Sequence, residues 1–168
     1  MTPVKITSIR FTNFKSLRNY SVSLHDTNIL VGPNNAGKST IISALRILEV
    51  ALKRAKSKNA ERVSLPGDRL GYGHNISIGQ LSVSLENVAT DYNSEDSRIE
   101  FRLSNKNRLI LYFPNNGRCT LYWELDGPTV TTASRFRSEF PVVVQVVPIL
   151  GPLEHNEIYV NDESPRLP

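Results

Sequence analysis

Cysteine is almost missing from this chain. A single Cys119 in 168 residues excludes an internal disulfide framework and a zinc site built on cysteines. No apolar run approaches the roughly 20 residues that span a bilayer, and Met1-Thr2-Pro3-Val4-Lys5 lacks the apolar core of a secretory signal. The expectation is a cytoplasmic protein with no membrane partner. Charge of one sign does not dominate either: the formal net charge is +4, and the basic residues are spread out except in Lys53-Arg54-Ala55-Lys56-Ser57-Lys58. That run reads first as the solvated end of a helix, where cations are favourable, and second as a nucleic-acid contact. Apolar residues at 39% and charged residues at 21% describe an ordinary globular chain, long enough for one domain or part of a larger one.

What is present is Gly32-Pro33-Asn34-Asn35-Ala36-Gly37-Lys38-Ser39-Thr40, which fits the phosphate-binding pattern G-x-x-x-x-G-K-[S/T] without a mismatch. A triphosphate is held mainly by backbone N–H groups, so the loop must curl tightly, and Gly32 and Gly37 supply the freedom for it. The N–H groups from Asn34 to Thr40 would cradle the phosphates, with Asn35 and Ala36 in the curl. Lys38 would reach the outer phosphates as a point charge, Ser39 would give its hydroxyl to Mg²⁺, and the following helix would aim its positive end at the anion. The surroundings suit the motif. Residues 27–31, Thr-Asn-Ile-Leu-Val, read as a short buried strand, and residues 38 to about 55 read as a helix with Ile41, Leu45, Leu48 and Leu52 on one face. ATP is the expected nucleotide, because Asn105-Lys106-Asn107-Arg108 lacks the aspartate of a guanine-reading motif.

Two alternating runs, residues 4–11 and 20–24, precede the loop and predict a hairpin whose turn carries Asn13-Phe14-Lys15-Ser16-Leu17. A minimal kinase or GTPase usually begins with the strand that feeds the loop. The order of hairpin with Asn-Phe-Lys-Ser, short strand and Gly-Pro-Asn-x-x-Gly-Lys-Ser-Thr resembles the N-terminal part of the ABC-type ATPase heads of the structural maintenance of chromosomes, RecF and overcoming-lysogenization-defect (OLD) families. The resemblance covers residues 4 to about 55, and the Asn35-Ala36 form is nearest in style to OLD-like and antiphage-defence (Septu-type) ATPases. It implies an α/β P-loop NTPase fold with parallel core strands, a phosphate-loop helix and an antiparallel β-meander. It also implies that Lys15 and Ser16 are secondary nucleotide contacts; on composition alone the same residues are an ordinary turn.

Farther along, residues 60–75 with Pro66-Gly67-Asp68 and Gly71-Tyr72-Gly73 read as an irregular loop. Runs over 78–88, 98–103, 107–113 and 118–125 predict the meander, with Pro114-Asn115-Asn116-Gly117 as one of its turns. Tyr112, Tyr122 and Trp123 read as sheet packing before base stacking. Residues 131–137 suggest a short helix, and Pro141-Val142-Val143-Val144-Gln145-Val146-Val147 predicts a strand buried on both faces, the second of the parallel core. By resemblance, the loop after it couples metal and attacking water to the other lobe, often through a glutamine. None follows here, so Glu154 and His155 are the candidates, and both equally suit a solvated loop.

Missing from the chain are a convincing ABC signature, a Walker B strand and a switch histidine. Ile76-Ser77-Ile78-Gly79-Gln80 imitates the signature but runs into an alternating strand, and Ile158-Tyr159-Val160-Asn161-Asp162-Glu163 imitates Walker B but is interrupted by Asn161. The expectation is one N-terminal ATPase-head segment over 1–168, with a hairpin, loop and helix in 1–59, the meander in 76–127 and the second core strand with its coupling loop in 138–168. Its partners would be its own C-terminal half, a second head in a homo-oligomer, and DNA or a nuclease. The expected function is ATP binding and, in the complete dimeric head, hydrolysis that switches DNA binding or a nuclease in antiphage defence or DNA repair. By itself the segment should hydrolyse very slowly, since positioning supplies most of the catalysis of phosphoryl transfer. Two other readings stand beside it: an assembly module that holds ATP with little hydrolysis, and a small phosphotransferase, against which the leading hairpin and long meander weigh.

Overall fold

The computed structural model describes residues 3–33, 36–77, 96–114 and 118–147. Its framework is a seven-stranded sheet, antiparallel at every pairing. The strands are β1 (Ile6–Phe14), β2 (Leu17–Ser23), β3 (Glu61–Leu65), β4 (Arg69–Ile76), β5 (Ser97–Leu103), β6 (Arg108–Phe113) and β7 (Cys119–Glu124). They lie in the order β2-β1-β5-β6-β7-β4-β3. The helix α1 (Lys38–Ser57) covers one face, and α2 (Ala133–Glu139) packs beside its C-terminal end.

The sheet follows from period-two alternation. Ile9 and Phe11 of β1, Ile99 and Phe101 of β5, Leu109 and Leu111 of β6 and Leu121 of β7 are buried in one core with α1. The helix meets them with Ile41, Ala44, Ile47, Leu48, Ala51, Leu52 and Ala55, a stripe at three- and four-residue spacing whose alanines keep the helix close to the sheet. Leu45, expected on that stripe, is only partly buried at its edge. The opposite face carries a smaller cluster of Ile110, Tyr112 and Tyr122 with Leu65. Helix α2 is capped by the Thr132 hydroxyl, which accepts from the Arg135 N–H at 3.4 Å, and it stacks Phe136 on Phe140 beside Trp123.

Three expectations change. The region 60–75 is a hairpin, not an irregular loop: Pro66-Gly67-Asp68 is its turn, and Leu65 pairs with Arg69. Gly71 and Gly73 are strand residues where neighbours come close, and a Cβ on Gly73 would meet the Leu121 carbonyl oxygen and the Val63 side chain. Second, residues 27–31 form no buried strand; Ile29 is 81% and Val31 84% exposed. Third, residues 141–147 join no ladder. Val142 is buried and Val144 partly buried, while Val143 and Val147 face solvent. Their backbone is held by α1 side chains: Lys56 Nζ donates to the Val142 carbonyl at 2.6 Å, and the Val146 N–H donates to Glu49 at 3.1 Å. A central core strand needs a strand at either edge as well as cover on both faces, and among the described residues neither segment has a strand beside it. The fold is α/β, and among the described residues every strand pairing is antiparallel, with no strand of the expected parallel core. The strand expected over 78–88 and the turn at 115–117 lie outside the described residues.

Candidate functional site: the phosphate loop

The site is built where the chain turns into α1. Gly37 is the N-cap, in a left-handed conformation at φ 83° that costs a residue with a Cβ roughly 1–2 kcal/mol. Among the described residues no side chain caps this end and no carboxylate stands in the first turn, so no anion of the first turn meets its positive end. The Lys38 side chain folds back over the loop, and its Nζ donates to the Gly32 and Pro33 carbonyls at 2.6 Å each. The Ala36 N–H donates to the Pro33 carbonyl at 3.3 Å, which closes the curl. Ser39 is exposed and Thr40 buried. A cation at the open end of a helix, with a free-standing hydroxyl one residue on, is an arrangement suited to a polyphosphate and its metal ion.

The hairpin tip joins this loop. Phe14 pairs with Leu17, leaving Lys15 and Ser16 as the turn, with Lys15 at φ 51°. Leu17 packs on Gly37, where a Cβ would stand 3.1 Å from Leu17 Cδ2. Lys15, half-buried, and Ser16, exposed, thus directly precede the residue that touches the loop. Leu17 itself was not among the expected site residues; the signal for it was an apolar residue closing an otherwise polar turn. Asn34, Asn35, Glu154 and His155 lie outside the described residues. Among the described residues no three His, Cys, Asp or Glu side chains stand close enough to share a metal ion.

The basic run ends α1 as a tethered helix terminus. Lys53 pairs with Glu49 at 2.7 Å, Arg54 lies 3.6 Å from Glu61, and burial pushes the Lys56 ammonium below its ordinary pKa. The aromatic residues of the meander are engaged in the sheet. The Tyr112 hydroxyl donates to Asp96, and burial first and that hydrogen bond second push it up to about 12. Trp123 meets Phe136 edge-on at 4.9 Å. Cys119 is buried, which raises its thiol to about 12 and leaves it inert as a nucleophile near neutral pH.

Fold and loop together define a phosphate-loop unit of α/β type. A family model described as an AAA ATPase domain matches residues 4–125, and the chain belongs to that family. Among solved structures the chain is similar to one described as the recombination mediator protein RecF with ATP in the RecFOR pathway, at 13% identity and a TM-score of 0.49. That similarity covers 79% of this chain and 30% of the RecF chain, so the chain spans under a third of the protein it matches. No curated protein matches it. Among the described residues no helix is long and apolar enough to cross a membrane.

Proposed function

We propose that the chain binds ATP with Mg²⁺ at residues 32–40, as the N-terminal portion of an ABC-type ATPase head. The observation that carries this reading is the position of Lys38 Nζ, held at 2.6 Å from two loop carbonyls beside an uncapped helix end. An incoming phosphate replaces those carbonyls as the partner of the ammonium. Ser39 offers its hydroxyl to the metal ion, whose contribution is to neutralise charge between the outer phosphates. The N–H groups of the loop and first turn hold the phosphate oxygens, and Lys15 and Ser16 approach from the hairpin tip that Leu17 fixes on Gly37.

In the complete protein the C-terminal half of the head and a second head would supply the signature and the water-polarising glutamate. Hydrolysis would then switch a DNA-binding or nuclease partner in defence or repair, a reading that rests on the OLD-like motif style. The exposed apolar side chains of Ile29, Val31, Val143 and Val147 support completion of the head by further chain, since both segments have the composition of core strands and want covering.

Calorimetry with Mg-ATP on the native chain and on Lys38→Ala, with mass followed by light scattering, tests the site. Saturable binding lost in the variant, with an unchanged circular dichroism spectrum, is expected. Equal affinity in the two proteins would overturn the assignment. Steady-state turnover by the full-length dimer separates an ATPase from a module that only holds nucleotide.

A further inference from the structure

The sheet is not evenly closed. Strand β4 pairs with β7 only where residues 73–76 face residues 119–122. Residues 69–72 of β4 pair only with β3, while Trp123 and Glu124 of β7 pair only with β6. Between these diverging arms lies a cavity of about 450 Å³, with Leu70, Gly71 and Tyr72 on one side and Trp123, Glu124 and Leu125 on the other. It stands at the β3 side of the sheet, across from the β1–β2 hairpin that touches the phosphate loop.

Two properties of its walls select an occupant. Each is a strand edge, so each directs backbone donors and acceptors into the gap, and among the described residues no ladder partner meets them. Groups of this kind are satisfied by an extended chain rather than by a compact ligand. The charges are unequal as well. Glu124 is paired with Arg108 at 3.1 Å, whereas Arg62, also in the wall, lies over the Tyr72 ring at 4.5 Å and has no carboxylate partner among the described residues. The uncompensated charge beside the apolar walls is therefore positive.

We propose that the split between β4 and β7 is a peptide-binding groove that takes an extended, apolar segment bearing carboxylates, added as a strand and held by Arg62. Leu65 and Tyr122, on the face opposite Arg62, receive the apolar alternate residues of the peptide, and its acidic residues face the guanidinium on the Tyr72 side. This site is independent of the phosphate loop.

The chain has one tryptophan, Trp123, and it lines the groove, so intrinsic fluorescence reports occupancy directly. The probe is a blocked hexapeptide pool, acetyl-X-Asp-X-Asp-X-Asp-amide, with X drawn from Val, Ile, Leu and Tyr. A saturable emission change is expected, weakened at least about tenfold by Leu70→Asp, which acts at a side chain 71% exposed and so leaves the fold intact. Arg62→Glu should reverse the preference toward a pool with Lys in place of Asp. Backbone N-methylation of the pool should abolish binding, because strand addition needs its N–H groups. No emission change up to millimolar pool would overturn the proposal. So would equal binding of the N-methylated pool, or a preference for Asp over Lys that survives Arg62→Glu.

Discussion

Leu17 rests against Gly37, so the tip of the first hairpin and the last residue before α1 form one contact. A residue with a side chain at position 37 meets two separate penalties. One is the left-handed φ of 83°, and the other is a Cβ placed 3.1 Å from Leu17 Cδ2. Gly37→Ala is expected to lower stability by about 1–2 kcal/mol from the backbone term and to weaken nucleotide binding by bending the loop. Adding Leu17→Ala removes the contact and leaves the φ penalty, so the double variant should recover little affinity. Urea unfolding and a nucleotide titration on the three proteins check this. Full recovery in the double variant would show that packing alone, not backbone conformation, demands glycine there.

Gly73 offers the opposite case. Its need for glycine comes from crowding: a Cβ would meet the Leu121 carbonyl, which is backbone and cannot swing away, and Val63. Gly73→Ala should cost about 1–3 kcal/mol, the usual range for overpacking, and should loosen the pairing of β4 with β7. Gly67, whose surroundings are open at φ 73°, should lose only the smaller conformational part on mutation to alanine. Comparing the two urea midpoints is the measurement, and equal losses would argue against the close approach.

These glycines show where the sequence was legible and where it was not. The phosphate loop, α1 and the strands β5, β6 and β7 rest on local spacing, and local spacing is written in the chain. The hairpin of β3 and β4 was hidden because Gly71 and Gly73 look like breakers until Leu65 closes on the first and β7 lies alongside the second. The apolar residues at 27–31 and 141–147 state that the segments want covering, but not which strand covers them, and here they stay outside the sheet. The site divides in the same way. Lys38 and Gly37 follow from the motif, whereas Leu17 joins them only through a tertiary contact that no periodicity announces.

Glu49 holds the segment 141–147 to α1. Its carboxyl accepts from Lys53 and from the Val146 N–H, and these bonds keep it below the usual carboxylate pKa. Glu49→Ala should speed hydrogen exchange at the Val146 amide several-fold. The Lys58 amide, bonded to the Arg54 carbonyl inside the helix end, should be unchanged. Unaltered exchange at Val146 would mean that packing of Val142 and Val144, not this bond, retains the segment.

His74 links stability to pH. Its ring is buried, 5.8 Å from that of Trp123. Burial first and the Arg54 guanidinium second hold it below its usual pKa of 6.5, against a weaker pull from Glu61. The unfolded imidazole therefore takes up its proton at higher pH than the folded one, and between the two values the unfolded state binds more protons. The sign follows: stability rises with pH in that window, is fully present above about pH 6.5, and is lost as pH falls toward the lower folded value. Glu61, also shifted down, acts in the same direction, but only as pH falls below its ordinary 4.5. Urea midpoints measured from about pH 7.5 down to about pH 5.5 should decline in the native chain and stay nearly level in His74→Gln. A decline of the same size in both proteins would remove His74 as its source.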